Sequence, residues 1–134
     1  MRATLGIVSE RRFPEFQSFE EFWPFYVGEH KSPGCRALHY LGVLTSLGIA
    51  GWAIWSASWM MIAVAIVAGY ALAWTGHFFV EHNTPATWGY VRWSFLAEFK
   101  MFALAVAGRM GKEIERLDGK GAAGVDPDST AEEG

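Results

Sequence analysis

Hydrophobic positions along this chain do not keep one period throughout. From Ala37 to Val80 runs a stretch of forty-four residues without one Asp, Glu, Lys or Arg: ALHYLGVLTSLGIAGWAIWSASWMMIAVAIVAGYALAWTGHFFV. That is about twice the ~20 residues that cross a bilayer once, and too long for one soluble core helix. The pattern predicts a hairpin of two transmembrane helices, about 37–55 and 59–80. Trp55-Ser-Ala-Ser-Trp59 makes the tight connection, with a tryptophan on either side as an interfacial anchor. Small residues recur every four positions: Gly42, Ser46 and Ala50 in the first helix, Ala65, Gly69 and Ala73 in the second. Such stripes let helices approach closely in lipid, where packing drives association.

Shorter amphipathic segments flank the hairpin. Ser18 stands three residues before Glu21, the spacing of a capping box, and opens an interfacial helix over about 18–30. Its aromatic residues Phe19, Phe22, Trp23, Phe25 and Tyr26 suit a membrane interface, and Pro24 predicts a kink. Lys31-Ser32-Pro33-Gly34 reads as a turn. Beyond the hairpin a polar stretch with Pro85 leads to WSFLAEFKMFALAVAG, about 93–108. The apolar part of this segment is too short to span, which predicts an interfacial or re-entrant helix, with a third crossing as the alternative. Residues 1–16 read as a flexible arm, and 111–134 as a disordered acidic tail without aromatics. The expected fold is therefore an all-α membrane protein, with one membrane-embedded domain over 17–110.

Composition changes this picture little, and charge sharpens it. Apolar content of 51% conceals a segregation: the centre is empty of charge and the flanks carry all of it. Residues 111–134 hold seven acids and three bases, a net of −4 within a total of −3, so the rest of the chain stands at +1. Five of the eleven basic residues precede the hairpin, six follow it, and none lies in its turn. The positive-inside rule then puts both termini in the cytoplasm, in the inner membrane of a bacterium or the endoplasmic reticulum of a eukaryote. No basic stripe exists to bind nucleic acid. The single cysteine, Cys35, excludes an internal disulfide. A two-helix hairpin buries little of its own surface, which makes a homo-oligomer a general expectation.

Candidate chemistry lies at the open end of the hairpin. Taking Ala57 as the centre of the turn, His39 lies eighteen residues before it and His77 twenty after. At ~1.5 Å per residue they stand roughly 27 and 30 Å from the turn, nearly level. His77 continues the stripe of Gly69 and Ala73 at four-residue spacing, which turns it towards the partner helix. Glu81, at i+4 from His77, can share its face. His30 approaches from the preceding interfacial segment. Ionisable groups at membrane depth are costly and so point to function. Imidazole with carboxylate suits non-haem Fe(II), imidazole alone suits zinc as well, and Glu81 can serve as a ligand's orienting partner instead. His82 points about 100° away and is the weakest candidate ligand, while Cys35 reads as a buried thiol.

The segments FWPFYVGEHKSPGCRALHYLG, GHFFVEHNTPAT and WSFLAEFKMF, spread over about residues 16–110, resemble the small membrane proteins related to the yeast 2-hydroxy-fatty-acid dioxygenase. The most specific parts are Glu29-His30, Pro33, Arg36 and His39, then Gly76-His77, Glu81, Asn83, Pro85 and Ala86. The resemblance implies an Fe(II)-dependent enzyme that uses O₂ to shorten 2-hydroxy fatty acids by one carbon, in α-oxidation. It also implies that His30, His39 and His77 belong to the metal-associated set. Glu81 and Arg36 are then expected to serve catalysis, and Arg36 with Asn83 to meet the substrate. His82 departs from the family, which more often has Lys or Arg there.

Two other readings compete with the dioxygenase. His39 and His77, facing across a helix pair, can ligate a haem axially. Alternatively the chain is a non-catalytic scaffold or lipid-binding protein whose histidines satisfy interfacial polar groups.

Overall fold

The computed structural model describes residues 13–123. Among them the chain forms five α-helices and no strand. α1 spans Phe19–Gly28, α2 Pro33–Trp55, α3 Met60–Thr75, α4 Val91–Val106 and α5 Met110–Ala123. α3 continues directly into a π-helical stretch, Gly76–Glu81, and a short 3₁₀ turn, Ala86–Trp88, precedes α4.

The predicted hairpin is present, with an earlier start. Ser32 accepts from the Gly34 N–H at 3.2 Å and Pro33 takes the first helical position, so the expected turn is the N-terminus of α2. Ala57 is the centre of the connection and takes φ +53°. Ser58 N–H donates to Ala53 C=O at 2.9 Å and Ala57 N–H to Ile54 C=O at 3.2 Å, a Schellman pairing. Gly108 closes α4 the same way, at φ +67° and with Arg109 N–H on Leu104 C=O. Glycine takes that conformation freely; alanine does not.

The small-residue stripes meet. A Cβ added to Gly42 would stand 2.9 Å from the Gly69 carbonyl oxygen, so only a missing side chain permits this approach. Ser46 Oγ donates to Ala65 C=O at 2.7 Å, a bond across the two helices. Both hairpin helices are long and apolar enough to cross a membrane, and only 22% of each span is buried within the molecule. A soluble core helix would be mostly covered. Here Leu41, Leu44, Leu47, Val64, Ile66 and Val67 face outward.

The remaining helices pack together at the open end. Phe22, Trp23, Tyr26 and Val27 of α1 form a buried cluster with Ala97 and Met101 of α4 and Met110 of α5. The Ser18 cap is made, Glu21 N–H donating to Ser18 Oγ, while the Glu21 carboxylate accepts from Gln17 N–H, one residue before the cap position of a full capping box. Pro24 is accommodated inside α1, which runs on through it.

Two flanking segments are more ordered than their composition predicts. Phe16 of the expected arm packs against Phe22, Phe25 and Tyr90, and residues 1–12 lie outside the described residues. The expected tail is helical through Ala123, with 124–134 outside the described residues. Met110, Ile114 and Leu117 fall at i, i+4 and i+7 and turn one stripe of α5 onto the core. Glu113 of α5 accepts from the Trp23 indole N–H at 2.8 Å, and the Lys100 ammonium lies 4.2 Å over the Trp23 ring.

Ala57→Gly removes the left-handed strain without touching a contact and should stabilise the hairpin by about 0.5–1 kcal/mol. Thermal unfolding in detergent reads this directly. A pH dependence should separate α5 from the hairpin. Hydrogen bonds from Arg116 and from the Trp23 indole hold the Glu113 carboxyl down to about 2, against an ordinary value of 4.5. A depressed acid stabilises the fold above its unfolded pKa, so this contribution is full above 4.5 and is lost as pH falls towards 2. Amide exchange of α5 should therefore accelerate across that window, and Glu113→Gln should flatten the dependence.

Candidate metal centre

Three elements each deliver one imidazole to the same place. His30 sits just beyond the C-terminus of α1, where burial is complete. His39 lies two turns into α2, and His77 in the π-helical stretch after α3. Ring centroids are 4.3 Å apart for His30 and His39, 4.6 Å for His30 and His77, and 5.1 Å for His39 and His77. One nitrogen from each ring lies within 4.8 Å of the other two. The level placement of His39 and His77 by hairpin geometry thus holds, and His30 joins them.

Hydrogen bonding decides which nitrogen faces inward. His30 Nδ1 lies 2.5 Å from the Tyr26 carbonyl oxygen, which can only accept. His39 Nδ1 lies 2.6 Å from Glu98 Oε2, which also accepts from the Tyr26 hydroxyl at 2.7 Å. His77 Nδ1 lies 2.7 Å from Asn83 Oδ1, while Asn83 Nδ2 donates to the Glu29 carbonyl and carboxylate. Each Nδ1 therefore carries a proton and donates, which turns the three Nε2 atoms inward. His30 Nε2 and His39 Nε2 are 3.1 Å apart. Two lone pairs at that distance repel unless a proton or a metal cation lies between them. Burial, then the neighbouring His39 and His77, keep His30 well below the ordinary histidine range, so it is neutral at pH 7 and free to ligate. This donor set fits a divalent transition metal: three imidazoles, each oriented by an acceptor on its far nitrogen, with coordination positions left for other ligands.

The local chain conformation explains the partners. In the Gly76–Glu81 stretch the i→i+5 pairing widens the turn, so a residue four positions on falls short of a full rotation. Glu81 accordingly does not follow His77 to the cluster. Its carboxylate accepts from the Ser32 N–H, at the start of α2, where the helix dipole favours negative charge. His82 then takes φ +55° and Asn83 N–H returns to His77 C=O at 3.0 Å, which sets Asn83 beside the ring. Gly76 lies against Cys35, with no room for a Cβ beside its sulfur.

Arg36 is also a framework residue here. Its guanidinium donates to the His30 and Lys31 carbonyls at 2.8 and 2.7 Å, so it pins the loop that carries His30. An apolar cavity of about 230 Å³ opens on His39 and His77 and runs between α2, α3 and α4. Glu81, Arg36 and Asn83 do not line it; Glu98, Ser94 and Trp74 do. The three residues expected to serve catalysis or substrate thus hold the metal-site loops in place. Glu98 was the functional residue not singled out from sequence. Its signal was a lone carboxylate inside an otherwise apolar segment.

The fold and this cluster define a class: a small helical protein with an apolar hairpin, carrying three buried histidines able to hold a metal ion at the hairpin's open end. The chain belongs to the Mpo1-like family, described as 2-hydroxy-palmitic acid dioxygenase Mpo1-like, whose model matches residues 16–110. No curated protein and no solved structure matches the chain.

Purified protein should hold about one metal ion per chain by elemental analysis, and His77→Ala should abolish it. Glu98→Ala and Asn83→Ala keep all three ligands but free one ring each, and should weaken metal affinity about tenfold to a hundredfold.

Proposed function

We propose that this chain is a membrane-embedded, iron-dependent dioxygenase that shortens 2-hydroxy fatty acids by one carbon. The observation that carries the reading is the cavity. It joins the histidine cluster at one end to Ala50 and Ile62 near the far end of the hairpin. His39 to Ala50 is eleven residues and His77 to Ile62 fifteen, so at ~1.5 Å per residue the cavity walls extend roughly 16 to 22 Å. That is the shape of a long alkyl chain with its polar end at the metal. Apolar side chains and small residues form nearly all of the wall, so the chain is sheltered from water.

Iron(II) held by His30, His39 and His77 would supply the redox chemistry that couples dioxygen to oxidation of the 2-hydroxy acid. The protein's own contribution is orientation. Glu98, Asn83 and the Tyr26 carbonyl fix the three rings and turn their Nε2 atoms towards one point. Tyr26, whose phenol is pushed up by burial and by Glu98, stays protonated and donates to that carboxylate. The exposed apolar surface of both hairpin helices supports residence in a bilayer, from which a fatty acid can enter sideways. The base-free turn supports an orientation with both termini in the cytoplasm.

The haem reading is disfavoured by His30, whose ring occupies the space between and beside His39 and His77 that a porphyrin plane would need. A non-catalytic lipid binder shares the cavity but has no use for three converging lone pairs.

Anaerobic incubation of iron-loaded protein with 2-hydroxyhexadecanoic acid, followed by O₂, should yield the fifteen-carbon product by mass spectrometry. Iron-loaded protein that leaves the acid intact would refute the activity. Ala50→Phe should block the far end of the cavity and move the preference to shorter chains, read as a change in kcat/KM across a chain-length series.

A further inference from the structure

Two polar atoms in the cavity wall have no hydrogen-bond partner among the described residues: Ser94 Oγ and Trp74 Nε1, both buried. Ser94 is 3% exposed, and both residues line the cavity beside His39, His77 and Glu98. Their positions follow from helix geometry. Trp74 precedes His77 by three residues and Ser94 precedes Glu98 by four, so each shares the face of a metal-site residue one turn away. A buried donor without a partner keeps its desolvation penalty, which folding alone does not recover. These two donors, from two helices, sit in the cavity wall that His39, His77 and Glu98 also line, and together we take them as its polar collar.

We propose that Ser94 O–H and Trp74 N–H are the head-group subsite of this cavity, donating to the carboxylate and hydroxyl oxygens of a single-chain 2-hydroxy acid. The assignment rests on the reading of the cavity as an acyl-chain site. An indole N–H can only donate, so the head must present acceptors; a protonated amine or quaternary ammonium head has none to offer. The walls beyond the collar carry no charge, which sends the alkyl chain inward along α2 and α3 and fixes the head at the histidines. Ser94 and Trp74 thereby set which end of the molecule, and which head chemistry, reaches the metal.

The test uses Ser94→Ala and Trp74→Phe, which remove one donor each; the first nearly keeps the shape of the wall, and the second also shrinks a ring that meets Tyr70 and Trp88. Neither atom bonds within the protein, so Ser94→Ala should keep wild-type thermal stability, Trp74→Phe should lose some, and both should keep wild-type metal content. Calorimetric titration of metal-free protein in nanodiscs compares 2-hydroxyhexadecanoic acid with hexadecylamine. Each variant should bind the acid about tenfold more weakly, the loss expected for a hydrogen bond to a charged group, with amine binding unchanged. Under turnover the effect should fall on KM more than on kcat. Acid affinity within twofold of wild type in both variants would overturn the subsite while leaving the acyl-chain cavity intact. Wild-type protein that binds the acid no better than the amine would overturn the subsite together with the reading beneath it. Loss of metal in either variant would assign these residues to the frame of the centre and overturn their role in recognition.

Discussion

Everything in this molecule answers to one electrostatic requirement: three imidazoles must meet in a buried place with their lone pairs facing the same point. Left alone, such rings repel one another and rotate. The structure prevents this by giving each Nδ1–H its own acceptor, a backbone carbonyl for His30, a carboxylate for His39 and a side-chain amide for His77. The acceptors come from α1, α4 and the loop after the π-helical stretch, so the site draws on every element at the open end except α5. α5 acts one step further out, covering the aromatic cluster from which Tyr26 reaches Glu98.

The hairpin supplies the complementary half. Close approach at Gly42 and Gly69 lets α2 and α3 pack backbone to backbone along their small-residue stripes. The two helices nevertheless diverge enough, with α4 alongside, to leave an apolar cavity that ends at the metal centre. A metal site alone could serve many reactions. Joined to a chain-sized apolar cavity, it points to a lipid, and the family to which the chain belongs points the same way.

Local departures from regular structure perform the fine placement. A regular α-helical continuation of α3 would have brought Glu81 under His77. The wider π-helical turn and the left-handed His82 bring Asn83 there instead and send Glu81 to the start of α2. Arg36, with its charge at the hairpin's mouth, resembles a substrate anchor in sequence and is a loop staple in the fold. Its two carbonyl partners are invisible until the chain has turned at Ser32.

What the sequence determined by itself was periodic or additive. The uncharged forty-four residues set two long helices, the turn tryptophans their boundary, and equal helix lengths the common level of His39 and His77. Capping at Ser18 is likewise a matter of three residues' spacing. The helical stripe of Met110, Ile114 and Leu117 was equally present in the sequence, though its low aromatic content masked it. Only the tertiary structure decided the tautomers, the partner of each ring, and the roles of Glu98, Ser94 and Trp74. His39 meets Glu98 across 59 residues and Tyr26 meets it across 72, while the nearer partners of His30 and His77 depend on how the chain turns, and hydrogen bonds over a few ångströms cannot be read from spacing along one chain.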